Sequence, residues 1–216
     1  MLRILIAAFV LLAPTVARCG EVLDRMAATV NGRALLESDI EDELRYEFFA
    51  AKRPLSEASA EDRNGALDRL IDQELLREQM GSKDFKPVAM EDLTKALQSF
   101  KSEYGPASSW ATALREYDVT EVAVKDHIET ELNQLRLIDL RLRPTIQIDA
   151  ESVREYYQHQ LLPKLSAGQH LSLQEATPTI RELLVQQKMN DSLESWLEAL
   201  RSQAKIKRFA AGDPAK

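Results

Sequence analysis

Residue types that commonly carry out catalysis or bind metals are sparse in this chain. The three histidines, His127, His159 and His170, each lack a second histidine or a cysteine at the spacing that a metal ion requires. Seven glycines are too few and too scattered to form a phosphate-binding loop. The sequence therefore predicts no metal site and no cofactor site, and the histidines are interpreted as isolated surface residues.

Neighbouring carboxylates could serve as general acids or bases, and two such pairs are present. Glu41 lies beside Asp42, and Glu129 lies two residues before Glu131. A catalytic base needs a nucleophile or an orienting partner nearby, whereas these acids lie in strongly charged helical surroundings. They are interpreted as solvated helix faces, and the chain is predicted not to be an enzyme.

The composition is that of a soluble globular protein with one large domain or two small ones. Of the 216 residues, 44% are hydrophobic and 29% are charged, and the formal net charge is −7 at pH 7. No basic stripe is present that could follow a phosphate backbone, which argues against nucleic acid as a partner. The acidic balance also disfavours electrostatic adsorption to anionic lipid.

Residues 1–17 have the pattern of a secretory signal peptide. One positive charge at Arg3 precedes an apolar run from Ile4 to Ala13, and the small residues up to Ala17 suit cleavage. The apolar run is shorter than the ~20 residues that a membrane-spanning helix needs. The sequence therefore predicts export, and it predicts no stable membrane span after the signal is removed.

Cys19 is the only cysteine and lies just beyond the apolar run. A lone thiol forms no disulfide within the chain, so stability must come from packing. A lipidated N-terminal cysteine is the alternative, but Arg18 stands where a lipoprotein signal requires a small side chain. The sequence therefore argues against a lipid anchor at Cys19.

A strand, a tight turn, a second strand and a capped helix are predicted in residues 22–44. The Asn31-Gly32 dipeptide supplies the positive φ angles of a type I′ turn between two short apolar runs. Ser38 and Glu41 have the spacing of a capping box that begins a helix. Because two strands alone are not stable in water, a third strand or a helical cover is expected from elsewhere in the chain.

Apolar residues at helical spacing predict further helices as far as the C-terminus. The first helix ends before Pro54, and residues 56–64 are interpreted as a polar linker. Within the longest helix, 120–142, one apolar stripe is predicted to face the core: Val124, Ile128, Leu132, Leu135, Ile138 and Leu142. The last helix is predicted to begin at Thr177-Pro178 and to lead into a short strand at 205–209.

Three stretches resemble the SurA-type periplasmic chaperones and their peptidyl-prolyl isomerase relatives. The family pattern A-x-V-N-x-x-x-L-x-E-S-D-I is matched by Ala28, Val30, Asn31, Leu35, Glu37, Ser38, Asp39 and Ile40. Residues 69–80, RLIDQELLREQM, resemble the family helix L-I-x-x-x-L-L-x-x-x-A. Residues 141–157, RLRPTIQIDAESVREYY, resemble R-x-x-I-x-I-x-x-x-x-V-x-x-Y-Y, the most specific of the three.

The chain departs from that family in one respect, because it has no room for a parvulin isomerase domain of ~100 residues. The resemblance implies a helical chaperone-like domain with an N-terminal hairpin at 22–160. A short linker at 161–176 stands where the isomerase domain would be inserted, and a C-terminal helix and strand at 177–209 complete the same domain. The predicted fold is mainly α, a multi-helix domain with a small β-sheet made from the hairpin and the C-terminal strand.

The resemblance implies an ATP-independent periplasmic holdase without cofactors. Its partners would be unfolded or partly folded exported polypeptides, including outer-membrane proteins, held in an apolar helical cradle. Two alternatives stay open: a peptidyl-prolyl isomerase relative with a residual isomerase role, and a non-enzymatic assembly module for one folded envelope partner. The aromatic side chains predicted to bind peptides are Tyr46, Phe49, Phe100, Tyr104, Trp110, Tyr117, Tyr156 and Trp196.

Overall fold

The computed structural model of this chain is mainly helical and describes residues 24–81, 85–165 and 171–209. The described helices are α1 Glu37–Ala50, α2 Ala60–Met80, α3 Met90–Ser102, α4 Ala107–Glu116, α5 Glu121–Leu142, α6 Ala150–Tyr156 and α7 Leu173–Gln203. The strands are β1 Met26–Val30, β2 Arg33–Leu36 and β3 Ile206–Arg208. This confirms the predicted mainly α fold with a small sheet. The predicted signal peptide, Cys19 and His170 lie outside the described residues.

The three strands form one antiparallel sheet in the order β2-β1-β3. Asn31 and Gly32 make the turn with φ angles of 50° and 92°, as the sequence predicts. The backbone N–H of Asn31 donates to the carbonyl of Lys205 at 3.1 Å, and its side-chain oxygen accepts from the Lys205 N–H at 2.9 Å. The C-terminal strand therefore supplies the third strand that the hairpin requires.

Helix α1 begins one residue before the predicted cap. The Asp39 side chain accepts the backbone N–H of Leu36 at 2.7 Å, which places the capping acid in the first turn. The Ser38 hydroxyl instead donates to the Asp24 carboxylate. The predicted Ser38–Glu41 capping box is therefore wrong, because the first turn has a nearer carboxylate to close it.

Two later helices begin earlier than predicted. Ser59 forms a capping box with Asp62 and starts α2, so most of the predicted linker 56–64 is helical. Ser172 caps α7 in the same way, which places Pro178 inside the helix. The predicted linker 161–176 is shortened accordingly, because α7 begins at Leu173. In both cases a complete capping box outweighs the weaker local signals for a later start.

Buried residues group into three clusters. The largest lies between α1, α3, α4 and α5, and the second packs the sheet against α2 and the C-terminal end of α7. The third joins α6 to the N-terminal part of α7 through Val153, Ala176 and Ile180. Residues of helices α1, α2 and α5 lie next to one another beside strand β2.

Candidate functional site

The aromatic residues predicted to bind peptides do not form one outward-facing surface. Phe49 is 0% exposed, and Trp110 and Tyr117 are also buried. The Phe49 ring lies 4.8 Å from the Tyr104 ring, 5.4 Å from Trp110 and 5.7 Å from Tyr117, measured between centroids. The expectation that Phe49, Trp110 and Tyr117 face a client is wrong, because they pack against one another in the largest cluster.

The other five predicted residues are partly buried. Phe100 and Tyr104 pack at the edge of the same cluster, and with Phe49, Trp110 and Tyr117 they make up the aromatic core. The remaining three lie elsewhere: Tyr46 stacks on His127, Tyr156 packs in the α6–α7 cluster, and Trp196 lies 6.0 Å from the Arg141 guanidinium. For these five side chains a peptide-binding role stays a prediction.

A polar cleft of about 470 Å³ lies between β2, α1, α2 and α5. Its apolar walls include Leu35, Leu70 and Met80, and its polar walls include Gln73, Asn133 and Gln134. Its charged and titratable lining residues are Arg33, Asp39, Asp42, Glu43, Glu74, Arg77, Asp126 and His127. The cleft lining therefore includes five carboxylates and two arginines.

Glu43 is a buried carboxyl group with an unmet hydrogen bond. Its residue is 5% exposed, and Oε1 accepts from Gln73 Nε2 at 3.2 Å. Oε2 has no hydrogen-bond partner among the described residues and lies 3.6 Å from His127 Nδ1. Burial, reinforced by the neighbouring charge of Glu47, raises the pKa of Glu43 to about 7. This carboxyl group therefore changes its charge near neutral pH.

Glu74 is equally buried, at 5% exposed, but its charge is paired. Arg77 donates to both of its oxygens, at 2.7 Å and 2.6 Å, and Arg33 Nε lies 3.2 Å from Oε2. Buried charges are tolerated when they are paired in this way. Of the two buried acids, only Glu43 therefore has an oxygen without a hydrogen bond to a described residue.

His127 separates the polar cleft from a second cavity of about 350 Å³, and it lines both. Its ring stacks on Tyr46 with centroids 3.9 Å apart and planes 5° from parallel. Burial lowers the pKa of His127, so the ring is neutral at neutral pH. The surface interpretation is wrong for His127, which is partly buried, whereas His159 is exposed.

A second unmet polar group faces the same cleft. Gln134 Nε2 is buried without a hydrogen-bond partner among the described residues, and Gln134 lines the cleft beside Asn133. Asn133 is already engaged, because its Oδ1 accepts the Val88 N–H at 2.9 Å. The cleft therefore presents one unmet acceptor, on Glu43, and one unmet donor, on Gln134.

Sequence reasoning missed both buried acids. Glu43 lies three residues after buried Ile40, and Glu74 lies three residues after buried Ile71. A residue at that spacing shares the buried face of its helix. The available signal was that each of two helices carries a glutamate on its apolar face. Attention to adjacent acids alone missed it.

The described residues also expose a few large apolar side chains. Met90 is 63% exposed and Leu135 is 55% exposed, although Leu135 belongs to the stripe predicted to face the core. In that half of α5 the buried side chains are Leu137 and Leu142, of which only Leu142 belongs to the predicted stripe. The Val88–Asn133 hydrogen bond of 2.9 Å and the Lys101–Glu121 ion pair show that α3 and α5 are antiparallel. Leu135 lies two residues after Asn133, on a different side of α5.

The Glu43 carboxyl group and the Gln134 amide give the cleft groups that can recognise a ligand. In residues 24–81, 85–165 and 171–209, no three His, Cys, Asp or Glu side chains are grouped so that they could hold a metal ion. Within the same residues, no helix is both long and apolar enough to cross a membrane. A carboxyl group that titrates near neutrality and an unmet amide are suited to pair with a polar or cationic ligand.

Comparison with models of known protein families gave no match, and comparison with curated proteins gave none either.

Proposed function

We propose that this protein is an ATP-independent periplasmic holdase that binds unfolded or partly folded exported polypeptides, outer-membrane proteins among them. The observation that carries the proposal is the exposure of large apolar side chains on α3 and α5, Met90 at 63% and Leu135 at 55%. We call these two residues the client surface.

The topology supports this proposal. The resemblance to SurA-type chaperones implies a helical module in which a C-terminal helix and strand return to an N-terminal hairpin. Here α7 is followed by β3, and Ile206 and Arg208 of β3 pair with Val30 and Ala28 of β1. At the α6–α7 junction, where an isomerase domain would be inserted, the hydroxyl of Tyr157 donates to the carbonyl of Leu171 at 2.5 Å and so joins the residue after α6 to one just before α7.

Weak contacts suit a holdase. Burial of apolar surface stabilises a complex by roughly 25 cal/mol per Å², and association has its own entropic cost. Two exposed side chains such as Met90 and Leu135 therefore add only modest affinity for any one segment. A client held in this way is protected from aggregation and is still released without ATP.

The test is a Met90→Gln/Leu135→Gln double variant, assayed by light scattering with several unrelated denatured outer-membrane proteins. Loss of about 1 kcal/mol of contact energy should require roughly threefold to tenfold more variant for equal protection. Both side chains are more than half exposed, so the melting temperature should stay unchanged. Unaltered protection by the double variant would contradict the proposal.

Val122→Gln is the matched control. Val122 is 67% exposed and lies at the other end of α5, so the same type of substitution removes apolar surface away from the client surface. This variant should protect clients as the wild type does. An equal loss in both variants would indicate nonspecific adsorption instead of a defined surface.

The two alternatives make different predictions. A peptidyl-prolyl isomerase relative would accelerate proline isomerisation in a tetrapeptide substrate, whereas a holdase suppresses aggregation without turnover. An assembly module with one folded partner would fail to protect several unrelated denatured proteins. Measured turnover, or protection of a single client only, would therefore replace the holdase proposal.

A further inference from the structure

Two buried polar atoms of residues that line the polar cleft lack hydrogen-bond partners among the described residues. Glu43 Oε2, on α1, is an acceptor, and Gln134 Nε2, on α5, is a donor. A buried polar group without a hydrogen bond costs roughly 1 to 3 kcal/mol. A ligand that offers a donor to Glu43 and an acceptor to Gln134 would recover both costs.

The charged residues of the cleft indicate whether the ligand group at Glu43 should be positive or negative. Both arginines in its lining, Arg33 and Arg77, are already paired with Glu74. Asp42 is paired with Arg45 at 3.0 Å, outside the cleft lining. Glu43 forms no ion pair with a described arginine or lysine: Arg69, the nearby cation, is paired with Glu47, and the imidazole of His127 stands opposite the free oxygen. The unfilled position at Glu43 therefore suits a cation.

We propose that the polar cleft binds a basic side chain of an extended polypeptide. In this arrangement, the guanidinium or ammonium group donates to Glu43 Oε2, and a backbone carbonyl of the same polypeptide accepts from Gln134 Nε2. This proposal rests on the proposed function, because the polypeptide that binds would be an unfolded client of the holdase. It adds a preference for segments that carry arginine or lysine.

The geometry allows this contact. A volume of about 470 Å³ lies within the range of ligand pockets and accommodates an arginine side chain with its peptide groups. No hydrogen bond holds Glu43 Oε2 in place, and the terminal torsion of a glutamate is broad. Rotation of the carboxylate toward the ligand would exchange the 3.2 Å hydrogen bond that Oε1 accepts from Gln73 for one to the ligand. Leu70 and Met80 supply apolar wall for the methylene stem.

Binding should depend on pH. Burial raises the pKa of Glu43 to about 7, and a cation prefers the carboxylate form, so binding at pH 7 releases a proton. Affinity should fall as the pH drops below 7, and protonation of His127 would add repulsion in the same direction. The other charged groups around Glu43 are Arg33 of β2, Asp39, Asp42 and Glu47 of α1, Arg69, Glu74 and Arg77 of α2, and Asp126 of α5.

The experiment titrates the full chain with acetyl-Ala-Arg-Ala-amide and with the same tripeptide carrying citrulline, followed by NMR or calorimetry. Citrulline has the shape of arginine without its charge. The wild type should prefer the arginine peptide by about tenfold or more, the value of one charge-assisted hydrogen bond. The preference should be lost in Glu43→Gln and retained in Glu116→Gln, which changes an exposed acid on α4.

Three results would overturn the proposal: no preference in the wild type, a preference that survives in Glu43→Gln, or a wild-type preference that is the same at pH 6 and pH 8. The last measurement needs no variant, so misfolding of Glu43→Gln does not remove the test. Agmatine, which has a guanidinium but no peptide group, should bind more weakly than the tripeptide. Equal binding of agmatine would indicate a site for small basic molecules and would overturn the polypeptide assignment.

The two proposals fail separately. Protection of denatured clients combined with equal binding of the two tripeptides contradicts the cleft proposal alone. Preference for the arginine peptide without protection of any client contradicts the holdase proposal alone.

Discussion

The aromatic core and the polar cleft both involve helix α1, and each contains a side chain of α1 that is nearly closed to solvent. Phe49 is 0% exposed and Glu43 is 5% exposed. Phe49 has its ring surrounded by other rings, whereas Glu43 has an oxygen without a hydrogen bond to any described residue. Two side chains buried to a similar degree thus differ in how completely their contacts and hydrogen bonds are satisfied.

The difference has a simple physical origin. Apolar burial is nondirectional and scales with the area removed from water, so rings such as Phe49 and Trp110 gain from almost any close arrangement. A buried carboxylate gains only from partners at the correct distance and angle. Aromatic side chains therefore tend to be buried in the core. Polar atoms without hydrogen bonds occur where charged groups such as Glu43 are enclosed.

The largest expected effect is in the aromatic core. Phe49→Ala removes a ring that contacts four others and leaves a cavity, so it should lower the free energy of unfolding by about 3 to 5 kcal/mol. Urea denaturation followed by circular dichroism measures this loss. Trp196→Ala, at a partly exposed position outside the core, should cost clearly less. Equal losses of stability in the two variants would contradict the conclusion that Phe49 lies in the core and Trp196 outside it.

An intermediate effect is expected at Glu43, with a pH dependence. The folded pKa of about 7 lies above the ordinary value of 4.5, so the folded state holds this proton more tightly and loses stability as the pH rises through 7. From pH 5 to pH 8 the Glu43→Gln variant should gain about 2 to 3 kcal/mol relative to the wild type. Urea denaturation at both pH values measures the change.

A difference between Glu43→Gln and wild type that stayed constant with pH would show that Glu43 is charged or neutral throughout that range. Glu43 would then not differ from the aromatic core in the way that the comparison requires. Glu116→Gln is the matched control, because Glu116 is exposed and its substitution should leave the pH profile of stability unchanged.

The smallest effect concerns the polar edge of the aromatic core. The Tyr104 hydroxyl donates to the Phe49 carbonyl at 2.5 Å, and Tyr104→Phe should lower the free energy of unfolding by about 1 kcal/mol. Tyr117→Phe is the control, because no described residue hydrogen-bonds to its hydroxyl, and it should stay within about 0.5 kcal/mol of wild type. Equal losses in the two variants would mean that the hydrogen bond contributes nothing specific.

Features set by a few adjacent residues were predictable. The turn at Asn31-Gly32 requires two positive φ angles, and few dipeptides adopt them. The need for a third strand followed from the instability of an isolated hairpin, and β3 meets it. The helix starts were less predictable, because Ser38 and Ser59 are both plausible caps and only Ser59 has its acid in a position to close the box.

The candidate site was not predictable from the sequence in the same way. Spacing showed that Glu43 and Glu74 share a face with buried isoleucines, but not which cations would reach them. Arg33 and Arg77 pair with Glu74, and no described cation reaches the free oxygen of Glu43. Partners separated by tens of residues are chosen by the packing of whole helices, which no local pattern records.

The sequence by itself determined the helical character and the tight turn, because backbone preference and apolar periodicity act over a few residues, and its composition gives the acidic balance. Only the tertiary structure decided that Phe49, Trp110 and Tyr117 fill a core, that Leu135 is exposed, and that Glu43 is enclosed without a cation. Burial is a property of neighbours brought together from distant parts of the chain, so these outcomes follow from how α1, α2 and α5 pack.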